Sequence, residues 1–341
     1  MSDAANVKRI LEIKRRQITK RSKSAQKRNL QKKTKRTRFL STIYYPLSTF
    51  VPFRHLGGVE RLTAEEISRV VMLALEEDVG PGDVTTQATV PDEAQATAVM
   101  RAREALVVAG IELAAAAFGA LSPKLEVRLA AQDGQRLTAG ETILQVSGAA
   151  RPILTAERVA LNFIQRLSGV ATLTAQFAEA VRGTRAQILD TRKTTPGWRR
   201  LEKYAVACGG GTNHRFGLYD MVLIKDNHLA ALHSASPNPI TAAIQRARDM
   251  YPKLKLEVET DTLEQVEQAL AAGADLILLD NMSPAQLREA VQRCQGRAKT
   301  EASGGINLKT VRGIAEAGVD FISVGALTHS PGAVDIGLDF A

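Results

Sequence analysis

From residue 186 onward the chain repeats one grammar: a short run of β-branched and aliphatic residues, a polar or glycine-bearing end, then apolar residues at helical spacing. The runs are Ala186 to Asp190, Met221 to Lys225, Leu254 to Glu259, Leu276 to Asp280, Thr300 to Ser303 and Phe321 to Gly325, with ends 21 to 35 residues apart. That spacing is one βα unit or slightly more, and such alternation calls for a parallel sheet wound by right-handed crossovers. An internal echo supports it: Leu263, Val266, Ala269, Gly273 and Asp275 return 45 residues later as Leu308, Val311, Ile314, Gly318 and Asp320. None of the runs is followed by the glycine fingerprint of a dinucleotide-binding fold. An α/β barrel is therefore expected in preference to a doubly wound open sheet.

The preceding stretch is of another kind. Thr63 and Glu66 have capping-box spacing ahead of Ile67, Val70, Val71 and Leu73, which marks a helix start. Up to about Ser168 the pattern mixes strand-like runs (Ala96 to Met100, Leu125 to Leu129, Thr142 to Val146) with a small-residue helix at Ile111 to Ala120 and a helical period over Ala156 to Gly169. This reads as an α+β domain.

Composition excludes several classes. With 341 residues, 45% hydrophobic and 24% charged, the chain can bury a sizeable core and is not low-complexity. Cys208 and Cys294 are too few for a disulfide framework and lie in no ligand-spaced cluster, which suits a reducing cytoplasm. No apolar run reaches transmembrane length. The net charge of +9 is uneven: residues 1–55 carry 16 Lys and Arg against Asp3 and Glu12, a local +14, leaving 56–341 at −5. This tail reads as a solvated extension; the rival readings are a nucleic-acid-binding segment and a start codon placed upstream of the true one.

In an α/β barrel the reactive groups project from the carboxyl ends of the strands. That rule selects Thr191, Arg192 and Lys193 after the first run, Lys225 after the second, Glu257 and Glu259 in the third, and Asp280 in the fourth. It adds Ser303, Gly304 and Gly305 after the fifth, and Ser323, Gly325 and Ala326 around the sixth. His214 and Arg215 follow the triple glycine 209–211, a backbone able to approach a ligand closely. Cations on the early strands, carboxylates in the middle and small residues late describe a rim for a substrate with several negative charges and a phosphorylated sugar.

The stretches DTRKTTPG (190–197), EKYAV (202–206), GGGTNHRFGLYDMVLIKDNH (209–228), EVETDTLEQ (257–265), LILLDN (276–281), EASGGI (301–306) and SVGALTHS (323–330) resemble the quinolinate phosphoribosyltransferase family. So do GDVTT at 82–86 and ERVALNFIQRLSG at 157–169, and the likeness runs from about residue 62 to the end. The resemblance implies a type II phosphoribosyltransferase-like α/β fold: an N-terminal α/β sandwich domain over 59–168, an open α/β barrel of about seven strands over 169–326, and a tail, 327–341, returning to the first domain; the basic extension over 1–58, read from its charge, has no counterpart in the family. It implies a magnesium-dependent reaction of quinolinate with phosphoribosyl pyrophosphate that gives nicotinate mononucleotide, pyrophosphate and carbon dioxide in NAD biosynthesis.

Carried over by motif, Arg192 and Lys193 match the family's anion-binding pair, with Thr191 beside them. His214, Arg215 and Lys225 match further groups around quinolinate and the phosphates. Arg158 matches an arginine sent into the neighbouring subunit's site, which implies a homodimer and leaves a hexamer open. Glu259 and Asp280 match carboxylates near the ribose hydroxyls and magnesium, directly or through water. Ser303, Gly304, Gly305, Ser323, Gly325 and Ala326 match the 5′-phosphate cup. Lys193, Lys225, Glu259 and Asp280 are the expected catalytic groups. The rivals are a transferase taking nicotinate without decarboxylation, a relative without catalysis that handles metal or molybdate, and a nucleic-acid binder through the basic tail.

Overall fold

The computed structural model describes residues 61–340, so the reading of 1–58 as a basic extension lies outside the described residues. The first helix, α1 (Ala64–Val79), starts where a capping box closes: Glu66 N donates to Thr63 Oγ1 at 3.2 Å and Thr63 N to Glu66 Oε2 at 2.8 Å. Two of the orphan amides of the first turn are thereby satisfied, and Ile67, Val71 and Leu75 face the core. Next come α2 (Val84–Thr89), capped by Asp83, then β1 (Gln95–Ala102), β2 (Leu106–Val107), α3 (Ile111–Leu121), β3 (Glu126–Leu129), β4 (Arg136–Leu137) and β5 (Thr142–Ala149).

Helix α4 (Ala150–Ala180) follows, 31 residues long, and the expected boundary between 168 and 169 falls in its middle. The sequence shows helical period only over 156–169, because on either side small residues such as Ala171 and Ala175 blur the apolar stripe. Its buried residues run from Ala150 to Phe177, so one rod serves the cores of both halves. The close crossing it makes depends on Gly169: a Cβ there would stand 2.0 Å from the carbonyl oxygen of Gly332.

The second half continues with β6 (Gln187–Leu189), α5 (Arg199–Cys208), β7 (Val222–Ile224), α6 (Asp226–Ala230), α7 (Pro239–Met250), β8 (Leu256–Thr260), α8 (Leu263–Ala271) and β9 (Leu276–Asp280). It ends with α9 (Pro284–Cys294), β10 (Lys299–Ser303), α10 (Val311–Glu316), β11 (Phe321–Ser323), α11 (Ala326–His329) and β12 (Ile336–Phe340). The parallel strands form one sheet in the order β6-β11-β10-β9-β8-β7. Successive strands are neighbours, and β6 curls round to β11; β6 and β7 do not pair, which leaves the barrel open on that side. Six strands stand where about seven were expected. On the free edge of β6 the chain supplies only a one-residue parallel bridge, Leu189 to Thr212, because the glycine-rich approach to Thr212 follows a loop.

The C-terminal strand β12 pairs antiparallel with β1, from Ala102↔Ile336 to Ala98↔Phe340, and completes the sheet β12-β1-β5-β3 of the first half. The end of the barrel segment is thus stitched into the other layer.

Gly169→Ala is expected to destabilise the fold by about 1–3 kcal/mol, because the added methyl meets backbone that cannot yield. Gly313, inside α10, faces open space, and Gly313→Ala should be neutral or stabilising by about 0.5–1 kcal/mol. Denaturant midpoints of the two variants moving together would contradict this packing.

Candidate active site

Parallel register brings the strand ends to one rim. Glu259 lies opposite Leu278 and Asp280 opposite Ser303, so the carboxylates of β8 and β9 and the Ser303 to Gly305 turn follow one another around the sheet. Ala302 pairs with Ile322, which sets the turn after β10 beside the turn after β11. At the far side, Lys225 leaves β7 and forms an ion pair with Glu259 across the adjoining strand. Lys193 crosses from the β6 side: its Cδ would be 3.1 Å from a Cβ on Gly325, and Thr328 Oγ1 donates to its carbonyl at 2.7 Å. Lys193 and the Gly325–Ala326 turn are thus held together.

Two strained turns shape the middle of this rim. Asn281 has φ 53, the sole positive-φ non-glycine among the described residues, and its Nδ2 donates to Asp280 Oδ2 at 2.7 Å. Gly304 has φ 96 and lies against that amide; a Cβ would approach Asn281 Oδ1 to 2.1 Å. Only glycine fits there, since both backbone and space forbid a side chain. Asp280 is therefore fixed at one oxygen by its neighbour's amide.

The cationic side is built on buried supports. Glu202, fully buried on α5, accepts from Thr195 N at 3.0 Å and Thr195 Oγ1 at 2.8 Å, and pairs with Arg166 Nη2 at 3.1 Å. Arg166 in turn donates to the carbonyls of Thr328 and Pro331. The loop bearing Arg192 and Lys193 is thus clamped to α4 and to the segment after β11. Nearby, Lys203 Nζ pairs with Asp190 Oδ1 at 2.5 Å, both buried, and also donates to His214 O at 2.9 Å. Asp190 accepts further from His214 N at 2.8 Å and Asn213 Nδ2 at 2.7 Å. Every polar atom of this pair has a partner, the condition under which a buried ion pair is tolerated. Arg215 then emerges half-buried, its Nη1 donating to Met221 O at 3.2 Å; burial and the adjacent Arg192 charge disfavour its protonated form without discharging it.

His214 turns the other way. Its Nε2 lies 3.0 Å from Glu257 Oε2 and 3.4 Å from Glu301 Oε2, at the level below Glu259 and Ser303 in the barrel. The three ligand atoms could surround a metal ion. Yet Nδ1 accepts the Arg215 N–H at 2.8 Å, which places the ring proton on Nε2 and removes the lone pair a metal would need. Glu257 Oε1 and both Glu301 oxygens have no hydrogen-bond partner. Burial, reinforced by Glu301, pushes Glu257 up to about 7.

The remaining expected residues fall as follows. Thr191 Oγ1 accepts from Lys193 N at 3.1 Å and shapes its turn. Arg158 is exposed on α4, and among the described residues no hydrogen bond or ion pair joins it to the strand-end groups. Glu202, Lys203, Arg166, Asn281 and Glu301 were not singled out as site residues from sequence. The one available signal was their place inside the matching motifs; burial alone reveals their work.

A group raised in the folded state gives stability that is fully present below its ordinary value near 4.5 and lost as pH rises through about 7. Thermal stability of Glu257→Gln should therefore fall less than that of the unaltered protein between pH 5 and 8, and parallel pH profiles would contradict the buried-carboxyl assignment.

Two family models match the chain in order. The quinolinate phosphoribosyl transferase N-terminal domain model matches residues 83–168 and the C-terminal domain model residues 170–339. The nicotinate-nucleotide pyrophosphorylase [carboxylating] of Mycobacterium leprae is 48% identical over 274 residues, covering 78% of this chain and 94% of the relative. The chloroplastic nicotinate-nucleotide pyrophosphorylase [carboxylating] of Arabidopsis thaliana is 44% identical over 332 residues, covering 89% of this chain and 94% of its own. Among solved structures, the nicotinate-nucleotide pyrophosphorylase from Francisella tularensis superposes with a TM-score of 0.77 at 38% identity, covering 82% of this chain and 98% of that one. With both domain models matched in order and the strand-end groups assembled on one rim, the chain belongs to the quinolinate phosphoribosyltransferase family.

Proposed function

We propose that this protein transfers the phosphoribosyl group of phosphoribosyl pyrophosphate to quinolinate with loss of carbon dioxide, giving nicotinate mononucleotide and pyrophosphate for NAD biosynthesis. The observation that carries the reading is the order of groups round one rim: Lys225 beside Glu259, then Asp280, the Gly304–Gly305 turn and the Gly325–Ala326 turn, with Lys193 closing on Gly325 and Arg192 near Arg215.

Each part has a task set by its chemistry. Planar guanidinium forks match carboxylates bidentately, so Arg192 and Arg215 suit the two carboxylates of quinolinate, and a fixed pair sets the pyridine nitrogen against the anomeric carbon. Arg158 of a second copy would complete this grip, making the active assembly a homodimer at least; the size of the assembly belongs to the proposal. Backbone amides of the two glycine turns, with Lys193 over Gly325, suit the 5′-phosphate. As the carbon–oxygen bond to pyrophosphate breaks and the carbon–nitrogen bond forms, positive charge develops on the ribose, and Glu259 and Asp280 stabilise it directly or through the ribose hydroxyls. The ring nitrogen of the product is cationic and takes up the electron pair left when the adjacent carboxylate departs as carbon dioxide. Lys193 or Lys225 delivers the proton that the resulting carbanion needs.

Glu259 and Asp280 also fit magnesium. They are hard oxygen donors on adjacent strands, one oxygen of each already engaged by Lys225 or Asn281. Such a donor pair suits Mg²⁺ held jointly with substrate phosphates rather than in an all-protein cage. When bound, the ion supplies neutralising charge to the leaving pyrophosphate. No helix among the described residues is long and apolar enough to cross a membrane, and a cytoplasmic enzyme is part of the proposal.

Steady-state kinetics with quinolinate and with nicotinate test the reading. Turnover with quinolinate and none with nicotinate is expected; preference for nicotinate would overturn it. Arg192→Ala should raise KM for quinolinate by about 10- to 100-fold, the cost of a lost charge-assisted pair. Lys193→Ala should retain quinolinate binding and lower kcat, and an equal loss in both would argue against a role in the chemical step.

A further inference from the structure

Arg199, the first residue of α5, reaches both loops that carry the arginines of the cationic side. On the loop after β6, its Nε donates to Thr194 Oγ1 at 3.0 Å and its Nη2 to Arg192 O at 3.4 Å. On the loop that leads to β7, its Nη1 donates to Phe216 O at 3.1 Å. One planar fork thus joins residues 192 and 194 to residue 216. Phe216 is also held through its N–H, which donates to Asp220 Oδ2 at 2.6 Å. Arg192 is therefore tied at its own carbonyl, and Arg215 follows the His214 backbone, held by Asp190 and Lys203, and precedes the carbonyl held by Arg199.

We propose that Arg199 is a positioning residue that determines specificity: its guanidinium sets the separation of the Arg192 and Arg215 loops, and with it the preference of the rim for two carboxylates on adjacent ring carbons. Three observations support this. The sheet cannot set that separation, because β6 and β7 do not pair. None of the three acceptors belongs to α5, so the bonds do not serve to cap the helix. Other half-buried arginines meet a carboxylate, Arg166 with Glu202 and Arg248 with Asp275, whereas no ion pair engages Arg199 among the described residues. Two carbonyls and a hydroxyl neutralise no charge; what they exploit is the fixed angle between the N–H groups of the fork. Two guanidiniums that grip one rigid dicarboxylate must stand at the spacing of its carboxylates, and a site so built rejects an isomer whose carboxylates lie further apart. Lysine at position 199 would keep the charge but carries one nitrogen, which cannot span both loops as the fork does.

The proposal rests on the transferase reading above for its substrate, and the experiment separates the two. Calorimetric binding of benzene-1,2-dicarboxylate and benzene-1,3-dicarboxylate is compared for the full chain, Arg199→Lys and Thr194→Val, alongside steady-state kinetics. The unaltered chain should favour the 1,2 isomer by about tenfold or more, the worth of one charge-assisted pair. Arg199→Lys should cut that preference to about threefold or less and raise KM for quinolinate by about tenfold, with kcat and KM for phosphoribosyl pyrophosphate within about twofold. Thr194→Val removes one acceptor and leaves the two carbonyls, so it should shift the preference the same way by less, and added to Arg199→Lys it should cost nothing further. Trp198, the only tryptophan of the chain, stacks on Phe163 with ring centroids 5.4 Å apart and adjoins Arg199. Its emission should be unchanged in both variants, which reads a loop shift apart from loss of the helix start; if Arg199→Lys moves it, Thr194→Val decides. An undiminished 1,2 preference in the deciding variant, or KM values for both substrates rising together, would overturn the proposal and leave the transferase reading standing. An unaltered chain that binds neither isomer and does not turn over quinolinate would refute the transferase reading, and this proposal with it.

Discussion

The buried ion pair between Asp190 and Lys203 ties together the two segments that leave the open side of the barrel. Asp190 ends the run of β6, Lys203 lies on α5, and between them they hold Asn213 and both backbone polar groups of His214. No strand pairing closes the sheet there, since β6 and β7 are not neighbours. A charge pair satisfied on every side takes the place of a ladder. Removing one partner would leave the other charge buried and unpaired, a loss of about 3–5 kcal/mol in comparable cases, and would release the very loops that carry Arg192, Lys193 and Arg215.

The rim repeats that logic. Polar neighbours set the rim groups: buried Glu202 and half-buried Arg166 hold the loop of Thr195 and Lys193, the exposed Asn281 amide holds Asp280, and the His214 ring accepts from Arg215 N. The Arg192 and Arg215 charges repel one another, and rigid supports keep them from relaxing apart before an anionic substrate arrives. Preorganisation of this kind moves the cost of ordering from the reaction to folding. Stitching β12 onto β1 and running α4 through both halves lends the same rigidity on a larger scale, because the loop after β11 is anchored to a rod that the other layer also packs upon.

Much of this was legible beforehand. A parallel sheet puts the end of every strand on one side, so Lys225, Glu259, Asp280 and Ser303 could be placed on a common rim from spacing alone, and the Thr63 capping box announced α1. What spacing cannot supply is depth. Glu257 and Glu259 share a face and differ by one layer, one fully buried and the other partly open, and nothing in the alternation of EVE says which is which. Glu301 stands in the same relation to Ser303. The inward turn of His214 depends on a loop path that has no period at all. The antiparallel pair of β2 with β4, two residues a strand, is too short to leave a pattern, and the seventh strand shrank to a single bridge at Thr212 because glycine-rich backbone gains little from pairing.

The central claim is that a decarboxylating transfer takes place on this rim, and the stoichiometry of one turnover tests it most directly. With carboxyl-labelled quinolinate, phosphoribosyl pyrophosphate and magnesium, the account predicts labelled carbon dioxide released only when the sugar donor is present, in step with pyrophosphate. Pyrophosphate without carbon dioxide, or no release of either from folded protein, would contradict it.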